Sequence, residues 1–240
     1  MFTACVGHWL LRAGLLLASV PALAGAIEVS PVSHELAPGQ TTLSMTVSNR
    51  ADATTSVQVR GFIWTQQGAQ DPLLPADTML VAPAIFKLEP GRSQVLRVRV
   101  PAAAVGHEAS YRLLIDELPA PGAVGQVHMA LRLSVPIFAR SASPLLPSAP
   151  QLSATFDPST ALITVVNSGG KRTRVHELTL VAGSGERFAA RPLAGPYLLA
   201  GAQRPWSLAA APALRPVSGG TSLVALTDDG LVEVPLVAAR

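Results

Sequence analysis

The chain has 240 residues, room for two domains of about 100 residues each. Hydrophobic residues make up 49% and charged residues 14%, which excludes the low-hydrophobicity, high-charge composition of a disordered chain. The net charge is +3, with lysine only at Lys87 and Lys171. Cations spread this thinly do not make the concentrated basic face of a nucleic-acid binder.

Residues 1–26 read as a secretory signal. Arg12 supplies positive charge, AGLLLASV (13–20) is a short apolar core, and small residues offer cleavage after Ala24 or Ala26. The apolar run is too short for a span of about 20 residues, and no second run follows, so export without membrane insertion is expected. The sole cysteine, Cys5, lies in this leader. The mature chain therefore has no disulfide and depends on its core alone.

From Ile27 onward the pattern is that of short strands separated by turn residues. Ile27 to Leu36 is one extended stretch, stopped by Pro38-Gly39. TLSMTVS (42–48) alternates, with Leu43, Met45 and Val47 on one face. SVQVRGFIW (56–64) is a longer strand, followed by a polar loop from Gly68 to Asp77. Leu80 to Leu88 contains Pro83, which predicts an edge or irregular strand. SQVLRVRV (93–100) and SYRLLIDEL (110–118) follow, and residues 126–139 form the longest alternating stretch. Seven strands at this spacing predict an all-β, immunoglobulin-like β-sandwich over 27–140. SASPLLPSAP (141–150) reads as a linker. Beyond it, 151–240 carries further short strands and a hairpin turn at Asp228-Asp229-Gly230, which predicts a second, smaller β-sandwich. No internal repeat is evident.

Chemistry is sparse. His34, His107, His128 and His176 stand in no metal-ligand spacing. Ser168-Gly169-Gly170-Lys171-Arg172 lacks the upstream glycine and the following hydroxyl residue of a phosphate loop, and reads as a Gly-rich turn. Asp116 and Glu117 are adjacent on a strand, so they point to opposite faces and do not converge on a substrate. No cofactor motif and no catalytic constellation is found. The stretch QVHMALRLSVPI (126–137) has apolar residues at Val127, Met129, Leu131, Leu133, Val135 and Ile137. Either they line the core, or they form an edge strand that pairs with a partner's sheet.

Several segments together resemble a known family. RGFIWTQ (60–66), PAIFKLEPG (83–91), QVLRV (94–98), SYRLLIDELP (110–119) and SVPIF (134–138) follow one another as in the periplasmic chaperones of the chaperone–usher pilus-assembly pathway, most like its archaic branch. The resemblance implies two immunoglobulin-like β-sandwich domains in a boomerang and a location in the periplasm. It also implies capture of pilin subunits by donor-strand complementation, and delivery to an outer-membrane usher without a cofactor. The donor residues would be Val127, Met129, Leu131, Leu133 and Val135. A free chain with such an edge can also self-associate. Other members bind the pilin carboxylate through a basic pair, which this sequence lacks: the corresponding stretches read VSHEL (32–36) and Ser134-Val135-Pro136. Arg112 is the substitute candidate, with Arg132 and Arg140 behind it. A pilus subunit or adhesin, and a secreted carbohydrate-binding β-sandwich, are the alternative readings. The second wants clustered exposed aromatics, whereas Trp64 and Trp206 fall in different domains.

Overall fold

The computed structural model describes residues 27–103, 105–119, 130–142, 149–157, 159–208 and 221–237, and every regular element among them is a β-strand. The first ten strands are β1 (Ile27–Ser30), β2 (His34–Leu36), β3 (Thr42–Asn49), β4 (Thr55–Trp64), β5 (Leu73–Pro75), β6 (Leu80–Ala82), β7 (Ile85–Leu88), β8 (Ser93–Arg99), β9 (Ala109–Leu118) and β10 (Arg132–Ala139). They make two sheets, one ordered β1-β3-β8-β6 and the other β2-β10-β9-β4-β5, with β7 also on β4. Alternate residues of facing strands fill the space between them. Val29, Leu43, Met45, Val47, Leu96 and Val98 come from one sheet, and Leu36, Val57, Val59, Leu113, Ile115 and Ile137 from the other.

Two stretches that the alternation pattern treats as single strands are each split between sheets. The run from Ile27 to Leu36 leaves the first sheet after β1 and joins the second as β2, with Pro31 between them. The run from Leu80 to Leu88 changes sheet at Pro83, giving β6 and β7. Proline has no N–H to give a ladder, so pairing stops there and the chain is free to cross. The expected polar loop after Gly68 contains the short strand β5.

The second half comprises β11 (Leu152–Asp157), β12 (Leu162–Asn167), β13 (Thr173–Val181), β14 (Arg187–Pro192), β15 (Tyr197–Leu198), β16 (Gln203–Leu208), β17 (Ser222–Thr227), β18 (Gly230–Val234) and β19 (Leu236–Val237). Its sheet runs β18-β17-β13-β14-β16-β12-β11-β19, with β15 on β13. The end strands β18 and β19 are consecutive pieces of chain joined at Pro235, so the sheet returns on itself around a core of Ile163, Val165, Leu178, Leu180, Trp206, Leu223 and Ala225. The Asp228-Asp229 turn joins β17 to β18, with Gly230 at a φ of 103°.

One short echo between the halves escapes the sequence reading. Thr46-Val47-Ser48-Asn49 ends β3, and Thr164-Val165-Val166-Asn167 ends β12. Both asparagines are fully buried. The Asn49 amide donates to the carbonyls of Ala53 and Leu88, and its oxygen accepts from the Ala51 N–H. The Asn167 amide donates to the carbonyls of Lys171, Leu198 and Leu199, and its oxygen accepts from Gln151 and Gly169. Each side chain thus satisfies the backbone of several converging loops. We expect Asn167→Ala to cost about 2–4 kcal/mol, because the loop carbonyls and amides it leaves behind are buried without partners; a urea midpoint measures this, and a change below about 0.5 kcal/mol would refute it.

Candidate functional site

Two features of the first domain meet at β10. The first is its hydrogen bonding. On one side β10 pairs with β9 along its whole length, from Arg132↔Asp116 to Ala139↔Ala109. On the other side it pairs with β2 only at Ile137, Phe138 and Ala139. Among the described residues, the edge from Arg132 to Pro136 has no strand beside it. The side chains alternate accordingly. Val135 and Ile137 are buried in the core, and Leu131 and Leu133 are half-buried against the same cluster. Arg132 and Ser134 face outward and are exposed, while Phe138 on that outer face is buried at the domain interface.

Of the five residues expected to be donated, Val127 and Met129 lie outside the described residues. Val135 is only 3% exposed and lies in the domain's own core. Leu131 and Leu133 sit where the core thins and the free edge begins.

The second feature is the interface between the halves, built on three aromatic rings. Trp64 lies at the end of β4, Phe138 on β10 and Tyr197 on β15. Their centroids are 5.3–5.9 Å apart, with Trp64 edge-on to Tyr197. Arginines cover these rings. The Arg112 guanidinium carbon is 3.7 Å from the Trp64 ring centre, Arg172 is 3.4 Å from that of Phe138, and Arg174 is 4.6 Å from that of Tyr197, whose hydroxyl it also contacts.

Carboxylates fix Arg172 and one further arginine, Arg204, across the interface. Arg172 pairs with Glu108 (2.6 Å) and with Glu35 of β2. Burial lifts the Glu108 pKa above its ordinary value despite Arg172, whereas in half-exposed Glu35 burial also pushes upward but the bond and charge of Arg172, with the charges of Lys171 and Arg140, together outweigh it and the pKa falls. Arg204, its side chain 2% exposed, pairs with Asp71, which also accepts from Trp64 Nε1 at 2.7 Å. Gln66 completes the join: its amide donates to the Tyr197 carbonyl and accepts from the Leu199 N–H, both at 3.0 Å, as a peptide group of an adjoining strand would.

The three carboxylate-anchor candidates are not brought together. Arg112 stands in this interface, half-buried, with ring contacts and no ion pair among the described residues. Arg132 is held by Asp116, four residues further along β9 and so roughly 13 Å away. Arg140 is exposed beyond the end of β10. The sequence reading missed Arg172, Arg204, Glu108, Glu35, Asp71 and Tyr197. For Arg172 a signal existed in the Ser168-to-Arg172 turn. A Cβ at Gly169 would lie 2.3 Å from the Ala149 carbonyl oxygen, and the Gly170 carbonyl accepts from the Glu108 N–H at 2.9 Å. The turn is Gly-rich because backbone passes that close, and it docks one domain on the other.

Comparison with known proteins bears on this geometry. Residues 26–144 match the family described as pili and flagellar-assembly chaperone, PapD N-terminal domain. The chain belongs to the pilus-assembly chaperones. The two-domain fold of this chaperone is also that of solved relatives. It is similar to the CsuC–CsuE chaperone–tip adhesion subunit pre-assembly complex from the archaic chaperone–usher Csu pili of Acinetobacter baumannii (TM-score 0.65, 21% identity, 89% of this chain and 100% of that one). It is similar to the E. coli chaperone DraB (0.58, 17%, 88% and 96%) and to the Salmonella enterica SafA pilin–SafB chaperone complex (0.58, 15%, 88% and 96%). Among curated proteins, none matches the sequence.

The Asp71–Arg204 pair makes the interface acid-sensitive. Burial raises the Asp71 pKa, but the bonds from Arg204, Trp64 and Gln66 and the Arg204 charge together outweigh it and hold the carboxyl below its ordinary value. A folded pKa below the unfolded one contributes stability above the ordinary carboxylate range, which is lost as pH falls through the depressed value. We expect Asp71→Asn to destabilise the protein by about 3 kcal/mol at pH 7, since Arg204 is left buried without its counter-charge. The gap from wild type should narrow below about pH 4. Urea midpoints at both pH values check this, and an unchanged gap would rule it out.

Proposed function

We propose that this chaperone holds pilus subunits in the periplasm by donating the β10 segment with Leu131 and Leu133, together with Val127 and Met129 before it, and passes them to an outer-membrane usher. The observation that carries the reading is the half-paired strand. Backbone donors and acceptors from Arg132 to Val135 are available on one edge, next to apolar side chains at every second position. A subunit lacking a strand exposes the complementary lack: unpaired backbone and an apolar groove. Main-chain bonds would supply affinity and the alternate side chains register. The solved relatives include chaperones in complex with a tip adhesion subunit and with a pilin, which supports the same assignment. The carbohydrate-binding alternative loses its support, because Trp64 and Trp206 are both buried.

Arg112 is proposed as the group that receives the subunit's terminal carboxylate. It is a guanidinium at the domain interface with a ring face beneath it and no carboxylate bonded to it among the described residues, and a carboxylate could take two parallel hydrogen bonds from it. Binding there requires no cofactor and no nucleotide.

Two paired variants test donation. Leu131→Arg should leave the free protein folded, at a cost of about 1–2 kcal/mol for a half-buried position, yet abolish co-purification of a tagged pilus subunit from the same gene cluster. Val135→Arg, in the core, should cost more than about 3 kcal/mol. Unimpaired capture by Leu131→Arg would defeat the reading. Arg112→Ala should weaken capture by about 1.5–3 kcal/mol, the worth of one charge-assisted bond, with Arg112→Lys in between because it keeps the charge and loses the fork; equal capture by all three forms would remove Arg112 from the site.

A further inference from the structure

Asp116 joins three neighbouring strands on the outer face of the first domain. Its Oδ1 accepts from Arg132 Nε on β10, and its Oδ2 accepts from Arg60 Nη2 at 2.7 Å and Arg60 Nε at 3.2 Å on β4. Asp116 itself is on β9, directly opposite Arg132. Its side chain is 10% exposed, against 42% and 61% for Arg60 and Arg132. A nearly buried carboxylate between two exposed guanidiniums acts as a clamp at the far end of the half-paired segment. No other described side chain ties that end of β10 to the sheet through an ion pair.

We infer that Asp116 is a positioning residue for subunit capture: it pins the free-edge segment of β10 to β9 and fixes which side chains face the partner. This rests on the donation reading. A segment hydrogen-bonded on one side only frays, and a frayed donor must be ordered when the subunit binds. Holding Arg132 on the outer face obliges Leu131 and Leu133 to point the other way, since successive residues of a strand alternate. A one-residue slip would put Arg132 where a leucine belongs. The clamp therefore secures both the order and the register of the donor before the partner arrives.

Asp116→Asn tests this, because an amide keeps the size but offers a single acceptor oxygen and no charge. Hydrogen exchange of the full chain should quicken about tenfold at residues 131–135 and remain unchanged at 137–139, where β2 also holds the strand. Capture of the tagged subunit should fall at least about fivefold, and Asp116→Glu should recover part of it. Unchanged exchange at 131–135 overturns the inference. Faster exchange with undiminished capture also overturns it if Leu131→Arg blocks capture; if Leu131→Arg does not, the donation reading has failed and the inference falls with it. Should Asp116→Asn unfold, Arg132→Gln removes only the β10 arm and leaves the Asp116–Arg60 pair, and the same exchange measurement decides.

Discussion

A strand hydrogen-bonded on one side must find something for its other side, and among the described residues β10 finds it for three residues of eight. The rest of the first domain is arranged around that shortfall. Pro31 ends β1 and sends the chain to the other sheet, where β2 is only three residues long and begins beside Ile137. Had the chain stayed straight and the strand been longer, the edge would be closed. The same strand also carries the core through Val135 and Ile137 and the interface through Phe138. One element thus serves stability and interdomain contact along successive parts of its length, and leaves one stretch of edge unpaired among the described residues.

The interface uses cations where a sandwich core would use aliphatic groups. Arginine spreads its charge over a plane that stacks on a ring, and its weaker hydration makes burial less costly than for lysine. Three stacked guanidiniums around three rings, with Glu35, Glu108 and Asp71 at the margins, give a join that is directional as well as apolar. Gln66 adds main-chain-like bonds to the stretch from Tyr197 to Leu199. The two domains are held by geometry that a sliding apolar surface would not enforce.

Period-two alternation made the first domain legible, because each strand there buries one face and wets the other. TLSMTVS and SQVLRVRV appear in the structure nearly as written. The same signal was ambiguous at 126–137, since a core face and a donated face look alike until the second neighbour of the strand is known. It failed at Pro31, where an apolar run continues while the sheet changes, whereas Pro83 marked its stretch as an edge or irregular strand. The interface was almost invisible. Arg172 and Glu108, or Arg204 and Asp71, are far apart in sequence, the glycines before Arg172 read as an ordinary turn, and an arginine that stacks on a ring reads like any surface cation. Trp64, Gln66 and Arg112 entered the sequence reading as motif residues, through resemblance rather than periodicity.

The buried asparagine at the end of β12 makes the molecule sensitive to one chemical change. Three carbonyl oxygens converge on its amide nitrogen. Hydrolysis of that amide to aspartate, the common ageing reaction of asparagine, would place an anion among three lone-pair donors in a site closed to water. The damage would not stay local, because two of those carbonyls belong to Leu198 and Leu199, and Leu199 is the residue that Gln66 grips from the other domain. A single deamidation at the end of β12 would therefore loosen the joint between the halves. The burial that protects Asn167 from attack is also what makes the molecule intolerant of the product.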